Sequence, residues 1–113
     1  MGKLSTHVLD TAKGCPAQGM EIDVLMDDVF LRSVKTNADG RIDGPILEGE
    51  ALFSGHYELR FHAGDYLRRT TSGLQEPLFL DIIPIRFGIA DASQHYHVPL
   101  LLSPFSYSTY RGS

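Results

Sequence analysis

The sequence predicts a small all-β domain, two packed antiparallel sheets carrying one short helix. Three observations point there. Short apolar runs with period-2 alternation recur along the whole chain. Clusters of Gly, Pro, Asp and Asn separate them, and only Ala63 to Thr71 has the composition of a helix. A length of 113 residues suits one domain, taken as 1–113, with a single core.

Leu4 to Asp10 alternates as a strand until Lys13-Gly14-Cys15-Pro16 breaks it. Met20, Ile22, Val24 and Met26 then alternate with Glu21, Asp23 and Asp27, which marks a half-buried strand with one wet face. Asp27-Asp28 turns into Val29 to Thr36, giving a hairpin. The segment from Thr36 to Arg41 is a loop, in which Asp39-Gly40 favours a turn because glycine accepts positive φ. Gly44-Pro45 punctuates again, and Ile46 to Leu52 has no clear period.

His56 to His62 returns to strict alternation, with Tyr57, Leu59 and Phe61 inward. Ala63 to Thr71 follows as the short helix, with Asp65 expected at its N-cap. Leu78 to Ile89 is the most apolar segment, and Pro84 makes it an edge strand or a bulged one. The chain closes with two strands joined at Ser103-Pro104. On the first, His95 and His97 share one face, with Tyr96, Val98, Leu100 and Leu102 on the other. On the second, Phe105, Tyr107, Thr109 and Arg111 alternate with Ser106, Ser108 and Tyr110.

Composition excludes several functions. A net charge of −4 argues against a general nucleic-acid binder. No apolar run reaches transmembrane length, and the first strand begins too early for a secretory signal. Cys15 is the only cysteine, so no intrachain disulfide forms, which suits a reducing compartment and makes the cytoplasm the expected one. His95 and His97, two apart on one strand face, could share a metal with His56 or His62. Cys15 has no ligand spacing and there is no His-rich tract, so no metal and no cofactor is expected.

Two stretches carry a resemblance. The terminal Tyr110-Arg111-Gly112-Ser113, preceded by His95-Tyr96-His97-Val98-Pro99-Leu100-Leu101-Leu102-Ser103-Pro104, resembles the hydrolase branch of the transthyretin-like family. So does the opening Leu4-Ser5-Thr6-His7-Val8-Leu9-Asp10, and the likeness covers nearly the whole chain. It implies a transthyretin-like sandwich of two four-stranded sheets with one short helix, assembled as a homotetramer with its sites between subunits. It also implies hydrolysis of 5-hydroxyisourate, a step of urate breakdown, with His7, Arg41 and His97 catalytic and the terminal tetrapeptide at the site.

These residue types suit the chemistry. Adding water to an amide-like carbonyl near neutral pH needs a base, and histidine titrates there. Negative charge then develops on the carbonyl oxygen, and the permanently charged fork of Arg41 can stabilise it. Either His7 or His97 is the base, with the other orienting water or ring. Tyr110, Arg111 and Ser113 are expected to contact substrate, and Gly112 to let the backbone pass close to a neighbouring group. No serine has a nucleophile-elbow context, so no covalent intermediate is needed. The competing readings are a small-molecule carrier and a contact domain. Carriers of the family bear other residues at the positions of His7, Arg41 and His97 and lack the Tyr-Arg-Gly-Ser ending.

Overall fold

A computed structural model describes residues 1–112. In chain order its strands are β1 (Lys3–Ser5), β2 (Val8–Asp10), β3 (Cys15–Pro16), β4 (Glu21–Met26), β5 (Val29–Lys35), β6 (Leu47–Glu48), β7 (Gly55–His62), β8 (Ile82–Ile89), β9 (Tyr96–His97), β10 (Leu100–Ser103) and β11 (Ser106–Ser108). The helix α1 (Ala63–Thr70) leaves β7 without a loop.

The first sheet has the order β5-β4-β7-β8 and is antiparallel throughout. Its inward face is the alternation read from the sequence: Ile22, Val24, Tyr57, Leu59 and Phe61 are all buried. Asp27 and Asp28 have φ of 50° and 66°, the left-handed pair that a tight two-residue hairpin between β4 and β5 requires. Pro84 lies in β8, which is an edge strand with unbroken register, so the missing N–H costs no ladder bond there.

The second layer combines β11-β10-β2-β3 with the shorter ladder β6-β1-β9. Here the all-antiparallel expectation needs correcting, because β1 pairs with β9, and β2 with β10, in parallel. One register runs through both pairs: Leu4 faces Tyr96, Ser5 faces His97, Val8 faces Leu100. Between them the Val98 and Leu100 N–H groups donate to the Ser5 and His7 carbonyls, each at 2.9 Å. The first and last thirds of the chain thus form the middle of one layer. Such a pairing needs a long crossover, and the whole first sheet supplies it.

The two layers close on one core, in which Leu4, Val8, Ile22, Leu59, Phe61, Leu100 and Leu102 are completely buried. The helix is anchored by a buried bond from the Tyr66 hydroxyl to Asp10 Oδ2 at 2.8 Å. Burial first, then the Asp10 carboxylate, pushes the Tyr66 pKa upward, which keeps it a donor. Asp65 is not the N-cap. That position falls on His62, the last residue of β7, since no linker intervenes, and Asp65 sits in the first turn, 3.1 Å from Arg68. The stretch without period, Ile46 to Leu52, holds β6 and a single 3-10 turn over Gly49–Ala51. Among the described residues no helix is long and apolar enough to cross a membrane.

Candidate active site

Alternation in β1, β2 and the bend between them points Leu4, Thr6 and Val8 into the core, with exposures of 0%, 2% and 0%. Ser5 and His7 therefore face outward. The parallel register sets His97 beside Ser5, and Ser5 Oγ lies 2.8 Å from His97 Nδ1.

Arg41 comes from a loop folded tightly against the same edge. The Asn37 side-chain oxygen accepts from the N–H groups of Asp39 (2.9 Å) and Arg41 (3.2 Å), and its Nδ2 donates to Asp43 Oδ1 at 3.0 Å. Gly40 has φ of 74°, and a Cβ there would collide with the Val8 carbonyl. Glycine is thus needed twice over, for conformation and for space. Two bonds tie this loop to the first strands: Val8 N–H donates to Gly40 O at 2.7 Å, and His7 Nε2 lies 2.9 Å from Asp39 O. A carbonyl only accepts, so His7 carries its proton on Nε2.

These contacts gather all three predicted polar residues. Arg41, Ser5 and His97, with Lys3, His95 and Pro45, line a cleft of about 640 Å³; His7 is not in that lining, but it is close enough to influence His97 electrostatically. Burial first, then the guanidinium of Arg41 and the neighbouring His7, holds the His97 imidazole below the ordinary histidine pKa of about 6.5. His97 is therefore neutral at neutral pH. Arg41 is exposed, and among the described residues it has no ion-pair partner. Its neighbour Asp43 is engaged by Asn37 instead. A neutral imidazole beside an unengaged guanidinium is the pairing that water activation and oxyanion stabilisation require.

The chain end joins the site through its glycine. Gly112 bridges to His97 in antiparallel fashion, with its N–H donating to the His97 carbonyl at 2.8 Å. A Cβ on Gly112 would stand 2.7 Å from His97 Cδ2, so the close approach expected of this glycine is to the imidazole itself. Tyr110 and Arg111 are placed elsewhere. Both line a separate apolar groove of about 210 Å³ with Ile85, Phe87 and Val98. The Arg111 guanidinium sits 4.0 Å from the centre of the Tyr96 ring and donates to Gln94 Oε1 and His95 O. Within one subunit these two side chains therefore brace the tail and do not line the His97 cleft. Ser113 lies outside the described residues.

Among the described residues the histidines do not gather into a metal-binding group with His97. His62 belongs to the first sheet, where its Nε2 is 2.9 Å from Asp23 Oδ2. With Glu21 these form a group that could hold a metal ion, on the opposite sheet from the cleft. Two residues escaped the sequence reading. Asn37 could have been suspected as the start of an Asx turn two residues before Asp39-Gly40. Ser5 had no signal at all, since its partner lies 92 positions away.

The chain is similar to known proteins over almost its whole length. Residues 4–112 match the model of the HIUase/Transthyretin family. The 5-hydroxyisourate hydrolase 2 of Rhizobium meliloti is 60% identical over 116 residues, covering 99% of this chain and 97% of that one. The solved structure of Klebsiella pneumoniae 5-hydroxyisourate hydrolase superposes with a TM-score of 0.85 at 33% identity, over the full length of both chains. An (S)-allantoin synthase structure superposes with a TM-score of 0.95 at 44% identity, covering 99% of this chain and 44% of that longer one.

Proposed function

This chain belongs to the HIUase/Transthyretin family, and from that premise we infer that it is an enzyme that hydrolyses 5-hydroxyisourate, with the His97–Arg41–His7 cleft as its active site. The product is 2-oxo-4-hydroxy-4-carboxy-5-ureidoimidazoline. Its new carboxyl and ureido groups identify the bond that breaks as a ring carbonyl-to-nitrogen bond.

His97 is the base. Its environment holds it neutral at neutral pH, and this is the observation that carries the assignment. It takes a proton from water as the oxygen adds to the ring carbonyl. Arg41 stabilises the oxyanion of the tetrahedral adduct with a charge that no ion pair among the described residues consumes. The adduct collapses, the C–N bond breaks, and the proton held by His97 goes to the leaving nitrogen. His7, with Nε2–H committed to the Asp39 carbonyl, presents Nδ1 as an acceptor and orients water or ring.

Substrate contacts from Tyr110, Arg111 and Ser113 belong to the same reading, with a second subunit bringing the groove of Tyr110 and Arg111 to the cleft. A homotetramer is supported by exposed apolar side chains, including the neighbouring Phe79 (72%) and Phe105 (69%). A cytoplasmic location suits the single exposed cysteine, Cys15. The decisive experiment adds purified protein to freshly generated 5-hydroxyisourate and follows its ultraviolet absorbance against the spontaneous decay. Acceleration abolished by His97→Asn supports the assignment. Decay at the spontaneous rate with wild-type protein refutes it.

A further inference from the structure

We propose that Ser5 is a positioning residue for the reaction: its hydroxyl oxygen accepts the Nδ1 proton of His97, which fixes the ring plane and leaves the lone pair on Nε2. This rests on the reading of His97 as the base.

The geometry is built into the backbone. Ser5 and His97 are direct partners in the parallel ladder, so their side chains leave the layer side by side on its outer face. Two main-chain bonds clamp the pair from either side: Val98 N–H donates to Ser5 O at 2.9 Å, and Gly112 N–H donates to His97 O at 2.8 Å. The serine side chain is short and the strand spacing is fixed, so Oγ reaches Nδ1, at 2.8 Å. On the Cδ2 side of the ring the Gly112 backbone runs close enough that a Cβ there would stand 2.7 Å from Cδ2.

Two proton arrangements satisfy a 2.8 Å contact between a hydroxyl and a ring nitrogen. If Oγ–H donates, the Nδ1 lone pair is occupied and the ring's remaining nitrogen bears hydrogen, so no free lone pair meets the cleft. If Nδ1–H donates, Nε2 holds a free lone pair, and the hydroxyl hydrogen turns to water or to an oxygen of the substrate. Only the second arrangement serves a base. It also survives catalysis, because the imidazolium formed on protonation of Nε2 keeps Nδ1–H aimed at Oγ. The charged and titratable groups facing His97 are Arg41 and His7, with Lys3 and His95 on the rim of the same cleft. All of them disfavour an imidazolium or are indifferent to it. Ser5 is the acceptor that offsets them.

The test compares Ser5→Ala, Ser5→Thr and His97→Asn with the wild-type protein. Ser5→Ala should lower kcat by about ten- to a hundredfold, less than loss of the base itself, which is worth ~10²–10⁴-fold. Its KM should change little, and the acid limb of its pH–rate profile should move to lower pH, since the imidazolium loses an acceptor. Ser5→Thr restores the hydroxyl on a β-branched residue suited to a strand and should recover most of kcat and the wild-type limb. Nitrogen-15 spectra of labelled histidine should show His97 with hydrogen on Nδ1 in the wild type and a tautomer mixture in Ser5→Ala. Wild-type kcat and limb in a folded Ser5→Ala protein, with His97→Asn inactive, would overturn the role of Ser5 alone. An active His97→Asn protein would instead overturn the base assignment beneath it. Should Ser5→Ala fail to fold, an Nε2–H tautomer in the wild-type spectrum, or no recovery in Ser5→Thr, still refutes the proposal.

Discussion

Replacing Gly112 with alanine tests whether the chain end is part of the catalytic geometry. The backbone does not resist the change, since Gly112 is not among the glycines with positive φ. Space does. The added Cβ would stand 2.7 Å from His97 Cδ2 and 3.2 Å from both Cβ and Cγ. Ordinary carbon contacts lie at ~3.5–4.0 Å, so the nearest pair must part by about 1 Å. Either the imidazole swings away from Ser5 or the tail lifts and breaks the 2.8 Å bond to the His97 carbonyl. Misplacing a catalytic group by about 1 Å costs roughly 10²-fold in rate, or about 2.7 kcal/mol of transition-state stabilisation. Stability should fall by no more than about 1 kcal/mol, the net worth of one hydrogen bond near a chain end. The assay is hydroxyisourate decay, alongside thermal melting and oligomer size. A truncation ending at Thr109 serves as the limiting case and should lose at least as much rate. A Gly112→Ala protein with kcat/KM within about twofold of wild type would refute the reasoning, because neither the place of the imidazole nor the tail's bond to His97 would then matter to the rate.

Arg41→Ala should lower kcat by about 10²–10³-fold, the usual cost of one oxyanion donor, while the melting temperature stays close to wild type because the guanidinium is exposed. The pH–rate profile should hold its acid limb below pH 6.5, since the His97 pKa is depressed by burial and by Arg41 and His7, and Arg41→Ala should move that limb upward. The sign for stability follows from the same shift. Between the depressed folded value and the ordinary unfolded one the unfolded chain binds more protons, so His97 makes folding more favourable as pH rises through that window. Turnover should survive exhaustive chelation, as His97 and Arg41 supply the base and the charge; loss on chelation with recovery on adding zinc would contradict this. Tyr66→Phe removes one donor from the buried Asp10 carboxylate and leaves the Lys13 N–H at 3.0 Å, so it should cost about 1–3 kcal/mol in a melt without changing the rate.

The parts of the structure legible in the sequence are those decided by near neighbours. Alternation of Tyr57, Leu59 and Phe61 depends on a strand's own period, and Asp27-Asp28 on the tolerance of aspartate for left-handed backbone. Pro84 could only lie at an edge because a missing N–H is a local fact. Parallel pairing of β1 with β9 could not be read. A strand's pattern states which face is apolar but not the direction of its neighbour, and that direction is set by how the intervening sheet carries the chain. Ser5 stayed hidden for the same reason, its importance arising only when register brings His97 beside it. The misplaced cap has a different origin. Asp65 is a good capping residue, but β7 continues into the helix without a linker and the cap position is already spent on His62.

Alternation also explains how one sandwich can serve a family whose name joins a hydrolase with transthyretin. In the first strands Leu4, Thr6 and Val8 face the core and Thr6 satisfies itself there by donating to the Val98 carbonyl at 2.7 Å. Ser5 and His7, between them, face outward and are only partly buried. The same holds across the ladder, where Tyr96 and Val98 are buried at 6% and 5% while His97 between them faces out. Fold and chemistry are thus written on alternate positions of the same short segments. Substitutions confined to the outward set change what the cleft can do while leaving the core untouched, which frees function from fold in this architecture. The cost of that freedom falls on the connections. Arg41 reaches the outward face because Asn37 and Gly40 hold a loop against His7 and Val8, and the tail can bond the His97 backbone because Gly112 carries no Cβ to meet the imidazole. Catalysis in this protein is therefore expected to be most sensitive at residues that neither touch the substrate nor fill the core.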